Sequence, residues 1–164
     1  MAKNRILILG IGNLILKDEG IGVHVVRALE EKGLPPEVDV IDGGTATMDL
    51  LSVICESERI IVIDALKAGG EPGTIYRCLP EDIMDAVDRP LSLHQVGLLD
   101  VLGMARQLGG RAYVVIIGVE PKEISWGMEL TAELEATVPK VIKAVFKELM
   151  GLGYARIRNS PESP

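Results

Sequence analysis

Three carboxylates fall where an aliphatic run gives way to a turn: Glu19 after Arg5–Leu9 and the glycines that follow, Asp42 after Val38–Ile41, and Asp64 after Arg59–Ile63. In an open parallel sheet the loops and ligands gather at the carboxyl ends of the strands, so these acids would share one edge. Crowding them there costs Coulomb energy unless a cation, a proton or a basic side chain offsets it. Lys17 and Lys67 are near in sequence and could fold over the edge. His94 is the stronger candidate partner, because it sits in the first turn of a helix that starts at Ser92. There the helix dipole disfavours imidazolium and favours a neutral ring able to bind metal. The same dipole keeps Glu19, near its own helix start, a carboxylate. Glu19, an aspartate of this edge (Asp42 or Asp64) and His94 would make a two-oxygen, one-nitrogen ligand set for a divalent transition metal, with positions left for water or substrate.

Plainer roles exist for each residue. Asp18 and Glu19 can cap the helix that follows them. Asp42 before Gly43 and Gly44 is an ordinary turn former. His24 has no partner at a suggestive spacing and reads as structural. Cys55 and Cys78 lie 23 residues apart with no C-x-x-C spacing, so they read as small buried hydrophobes in a reducing compartment. No Gly-x-Ser-x-Gly elbow occurs, and neither cysteine has a histidine close in sequence, so nothing points to a serine or cysteine nucleophile. A nucleotide site is the rival reading: Gly10-Ile11-Gly12 follows a strand, and Asp42 ends the next one where a ribose-binding acid would stand. Position 15 is Ile where a third glycine is needed, and Asp18 and Glu19 would repel a pyrophosphate from the helix start.

The elements that must hold these residues follow from periodicity. Strands are predicted at Arg5–Leu9, Val38–Ile41, Arg59–Ile63 and Tyr113–Val119, with an antiparallel edge strand at Thr74–Leu79. Between them come a helix with Ile21, Val25, Val26 and Leu29 on one face, one over Thr47–Glu56, and a largely buried one over Ser92–Leu108 with apolar residues on most faces. A last helix over Glu129–Met150 contains Pro139, where a kink or break is expected. Asp82–Asp88 fits no element clearly. This alternation predicts one three-layer α/β domain over residues 1–150, a mostly parallel twisted sheet of about five strands with helices on both faces. Residues 151–164 read as a flexible C-terminal tail.

Composition narrows the function. The chain has 164 residues, 48% hydrophobic and 25% charged, with 17 Lys and Arg against 24 Asp and Glu for a net charge of -7. A general nucleic-acid binder needs a basic footprint that this balance does not supply. Five aromatic residues, with one Trp and one Phe, leave little for base stacking. No apolar run approaches the roughly 20 residues needed to cross a bilayer, and Gly10, Gly12 and Asn13 interrupt the N-terminal apolar stretch that could pass for a secretory signal. A soluble cytoplasmic protein is expected, acting without nucleic acid or membrane and as a monomer.

Several blocks in order resemble the hydrogenase maturation endopeptidases, which trim the large subunit of nickel-iron hydrogenases. They are Gly10-Ile11-Gly12-Asn13 with Asp18-Glu19-Gly20-Ile21-Gly22, Asp42-Gly43-Gly44-Thr45, Ile63-Asp64-Ala65, Pro72-Gly73-Thr74, Ser92-Leu93-His94-Gln95, and Gly118-Val119-Glu120-Pro121 leading to Trp126-Gly127-Met128-Glu129-Leu130. The resemblance implies a peptidase whose substrate is a precursor large subunit already loaded with nickel, from which a short C-terminal peptide is removed. It places the family's metal-binding residues on Glu19, Asp64 and His94, and gives Asp42 a supporting, substrate-positioning or general-base role. Nickel would be carried by the substrate, and other divalent transition metals could occupy the same residues. A non-hydrolytic nickel-binding chaperone stays open beside the peptidase.

Overall fold

The computed structural model describes residues 5–84 and 91–153. Five strands, β1 (Ile6–Ile11), β2 (Val38–Gly44), β3 (Arg59–Ala65), β4 (Ile75–Cys78) and β5 (Tyr113–Val119), form one sheet in the order β2-β1-β3-β5-β4. All neighbours are parallel except β4, which runs antiparallel along β5 at the edge. The helices are α1 (Ile21–Glu30), α2 (Leu51–Glu56), α3 (Pro80–Met84), α4 (Leu93–Gln107) and α5 (Ala132–Gly153).

Alternation along the strands builds two cores. Ile8, Ile61, Ile63 and Ile117 face α1 and α5, whereas Leu7, Leu9, Ile60, Val62 and Ile116 face α2, α3 and α4. Strands buried on both sides need apolar residues at every position, which is why they read as continuous aliphatic runs. The expected three-layer architecture and the antiparallel edge strand are both present.

Several local expectations need correction. Asp18 caps no helix: a 3-10 turn, Lys17–Gly20, precedes α1, whose N-cap is Gly20 with no side-chain bond. The second strand does not stop before Asp42-Gly43-Gly44 but runs through it, because β1 itself extends to Ile11 and pairs with it through a register shift. Likewise a 3-10 turn, Thr47–Leu50, precedes α2. Helix α4 is not buried all round. His94, Gln95, Leu98, Val101 and Ala105 face inward, while Leu93 and Met104 are exposed, since the sheet covers one side of the helix. The last helix starts at Ala132 rather than Glu129 because Thr131 is engaged by Asp18. It runs through Pro139, which costs an internal hydrogen bond, because the buried stripe of Leu134, Val141, Ile142 and Val145 spans the proline. Cys55 and Cys78 are free thiols, half-buried rather than buried. Of Asp82–Asp88, the first three residues belong to α3; 85–88 lie outside the described residues, as does most of the expected tail.

Candidate functional site

Strand order reverses between β1 and β3: β1 leads through α1 to β2 on one side, and β3 lies on the other. Diverging connections open a crevice at the carboxyl ends of such a pair. Of the four residues picked out by type, Glu19, Asp64 and His94 meet there. Glu19 comes from the 3-10 turn after β1, Asp64 from the end of β3, and His94 from the first turn of α4.

Two backbone approaches set the crevice. A Cβ on Gly22 would lie 2.1 Å from the Ile63 carbonyl oxygen and 2.5 Å from that of Ile11, so only glycine lets α1 start this close to β1 and β3. At Gly12, where φ is +138°, a Cβ would lie 2.0 Å from the Glu19 carbonyl oxygen. The turn carrying Glu19 is thereby pressed onto the end of β1.

His94 stands between the two acids. Its Nε2 lies 3.0 Å from Asp64 Oδ1, and its Nδ1 lies 3.3 Å from Glu19 Oε1. The His94 and Asp64 side chains are 5% and 4% exposed, whereas that of Glu19 is 13% exposed. Ser92 and Gln95 hold the histidine in place through a capping box at the start of α4. Gln95 also donates from Nε2 to the Ala65 carbonyl at 3.1 Å, tying the helix start to the end of β3, and the Ala65 N–H donates to Asp64 Oδ1 at 2.8 Å.

Burial pushes the Asp64 carboxyl above its ordinary value against the opposing pull of His94, the Ala65 N–H and Gln95. Burial also pulls His94 down, but the hydrogen bond and charge of Asp64 and the charge of Glu19 outweigh it, so the imidazole lies above its ordinary value. The arrangement therefore favours a bound proton. A neutral imidazole has one N–H, which leaves its other nitrogen facing a carboxylate oxygen, lone pair to lone pair. That gap calls for a cation, either a proton or a metal ion.

The spacing suits a metal edge. Two donors each about 2.1 Å from one ion and roughly 90–105° apart lie about 3.0–3.3 Å from one another, the separation found on either side of the ring. The two acids, however, face different ring nitrogens, and no three His, Cys, Asp or Glu among the described residues already surround a common point. For all three to hold one ion, one carboxylate must swing to the nitrogen that the other faces. Glu19, the longer and less buried acid, has more freedom to do so.

Glu19 and His94 open into a cleft of about 610 Å³, walled by Leu66, Ala68, Tyr76, Ile83, Pro121 and Ile124 among others. This is enough room for a few residues of extended peptide. Asp42 is not among the residues that line it. It is exposed, accepts the Gly44 N–H at 3.1 Å, and lies 3.5 Å from the Arg27 guanidinium. Lys67 lines the cleft, and Lys17 pairs with Glu123. His24 stays apart from this cluster, with its Nε2 buried and unbonded among the described residues.

Residue types alone missed three supports. Gln95 was legible, since Ser92-x-x-Gln95 is a capping-box pattern. Glu120 ends an apolar run as Asp64 does; it accepts the Ala68 and Gly69 N–H groups and the Tyr76 hydroxyl, shaping the loop above the cleft. Asp18 is wholly buried and bonded to residues more than 100 positions away, a pairing that no local signal announces.

Known proteins share this arrangement of elements. The sequence model of the hydrogenase maturation protease family matches residues 23–148, which include Asp64 and His94. Hydrogenase 2 maturation protease of Escherichia coli (strain K12) is 35% identical over 156 residues, covering 93% of this chain and 95% of the relative. The solved structure of the hydrogenase maturating endopeptidase HybD from E. coli superposes with a TM-score of 0.84 at 36% identity, covering 91% of this chain and 94% of that one. The [NiFe] hydrogenase maturation protease HybD from Thermococcus kodakarensis superposes with a TM-score of 0.75 at 35% identity, covering 88% and 98%.

Proposed function

Since this chain belongs to the hydrogenase maturation protease family and is a peptidase, we propose that it removes a C-terminal peptide from the precursor large subunit of a nickel-iron hydrogenase once nickel is in place. The observation that supports this reading is the position of His94, between Glu19 and Asp64 at the mouth of a cleft of peptide size. Glu19, Asp64 and His94 read nickel that the precursor brings, so a precursor without nickel is left uncut.

The chemistry follows from the cation that the ring lacks when neutral. Nickel accepts imidazole and carboxylate ligands and leaves positions that a second protein can fill. His94 would hold nickel on one ring nitrogen in place of a proton, with Asp64 and Glu19 on the same ion, Glu19 brought there by the swing that its length and exposure allow. A metal so held would polarise a carbonyl oxygen or lower the pKa of a bound water, either of which would assist attack on the scissile peptide. Water adds to the carbonyl carbon, the C–N bond breaks, and the departing nitrogen takes a proton, leaving a new carboxylate on the precursor and a free peptide.

The test mixes the protein with nickel-loaded and nickel-free precursor and follows the precursor's mass. Loss of a C-terminal peptide from the loaded form alone is expected. Cutting of both forms removes the metal-reading step, and binding without a mass change makes the protein a nickel-binding chaperone.

A further inference from the structure

Glu19 sits in a 3-10 turn rather than in a helix, so regular helix geometry does not fix it. Its neighbour Asp18 supplies the anchor. The Asp18 side chain is wholly buried. Its Oδ2 accepts the N–H groups of Lys122 and Glu123, each at 2.9 Å, and its Oδ1 accepts the Thr131 N–H at 2.8 Å. The Thr131 hydroxyl lies 2.8 Å from Oδ2 and 3.0 Å from Oδ1. All these donors come from the segment between β5 and α5.

Further main-chain bonds strap the same two segments together. Asp18 N–H donates to the Glu123 carbonyl at 3.3 Å, Lys17 N–H to that of Gly127 at 2.8 Å, and Gly127 N–H to that of Ile15 at 2.9 Å. Lys17, at φ +48°, is the one described non-glycine residue with positive φ, so the turn is bent into a conformation that this strap must hold. The strap reaches the site from both sides: Glu19 follows Asp18 directly, and Ile124, inside the strapped segment, lines the cleft.

We infer that Asp18 is a positioning residue, which clamps the turn onto the β5–α5 segment so that the Glu19 carboxylate meets His94 and takes its share of a divalent cation. The inference rests on the reading of Glu19 as a metal ligand. The clamp needs a carboxylate, because both of its oxygens accept. In Asn one of the two becomes an NH₂ group facing N–H donors.

A double-mutant cycle on Ni²⁺ affinity, read by titration calorimetry, separates positioning from mere stabilisation. The four proteins are wild type, Asp18→Asn, Glu19→Gln and the double variant, each checked for folding by circular dichroism. Asp18→Asn is expected to weaken Ni²⁺ binding about tenfold or more in the presence of Glu19, and less than about twofold once Glu19 is already Gln. Thr131→Val, which deletes one donor and keeps the carboxylate, runs the same cycle on a gentler change and decides the matter should Asp18→Asn not fold; Thr131→Ser is expected to restore affinity. Ser57→Ala, which removes a hydroxyl bond to the Val53 carbonyl near the start of β3, is the control for general loosening and is expected to leave affinity unchanged. Equal losses in both Glu19 backgrounds, or no loss at all, overturn the inference and leave the metal reading standing. Wild-type protein that takes up no Ni²⁺ overturns that reading, and the inference with it.

Discussion

His94 Nε2 lies 3.0 Å from Asp64 Oδ1, with both side chains almost withdrawn from water, although 30 residues separate them in the chain. The pair is assembled by two elements of different kinds, the end of a buried strand and the capped first turn of a helix. Because Glu19 approaches the other ring nitrogen, replacing either buried partner changes how the ring meets a metal.

His94→Ala and Asp64→Ala are each expected to lower the rate of precursor trimming about 100-fold or more while leaving the fold intact. Asp64, which burial already pushes up, takes a proton when His94 is gone, so no naked charge stays in the interior. Mass spectrometry of the precursor and circular dichroism of each variant check the two halves of this expectation. Trimming at the wild-type rate by either variant would contradict the assigned site.

Asp42→Asn is expected to be mild. The amide oxygen can still accept the Gly44 N–H, and the lost pairing with Arg27 is exposed and worth about 1 kcal/mol at most. Trimming should stay within about threefold of wild type. A 100-fold loss at unchanged stability would instead make Asp42 the general base.

The pH dependence has a definite sign. His94 is held above its ordinary value in the folded protein, so the metal-free protein binds that proton more tightly than the unfolded chain does. Its contribution to stability is complete below about pH 6.5, the unfolded value, and is lost as the pH rises through the raised value. Urea midpoints measured across this window should fall with rising pH, and the slope should shrink in His94→Ala. Ni²⁺ affinity should move the opposite way, rising with pH as the competing proton leaves.

Gly22→Ala tests the packing that brings Asp64 to the site. The added methyl meets the Ile63 and Ile11 carbonyl oxygens at 2.1 and 2.5 Å, and backbone atoms cannot step aside as a side chain would. A loss of about 2–3 kcal/mol is expected in urea unfolding. Ile63 precedes Asp64, so trimming should weaken as well. Full stability in Gly22→Ala would mean that α1 does not depend on this contact.

Strand-end acids and a helix-start histidine were legible because each sits at a visible change of pattern: Asp64 after four aliphatic residues, His94 two positions beyond a capping serine. What the chain does not announce is long-range. Asp18 reads locally as a cap, yet its donors lie more than 100 residues ahead in a segment with no regular structure. The start of α5 has no local signal for the same reason, since Thr131 turns its N–H toward Asp18. Asp42 follows an aliphatic run as Asp64 does, but β2 is an edge strand whose end carries its own turn bond, whereas β3 is central and delivers its acid into the crevice.

The most direct measurement is the nickel X-ray absorption spectrum of loaded precursor, recorded alone and after mixing with this protein held in its uncleaved complex. The account predicts new nitrogen and oxygen neighbours about 2.1 Å from nickel, with the outer-shell signature of one imidazole that disappears with His94→Ala. A nickel environment that does not change on mixing, under conditions where wild-type protein goes on to trim the precursor, would contradict it.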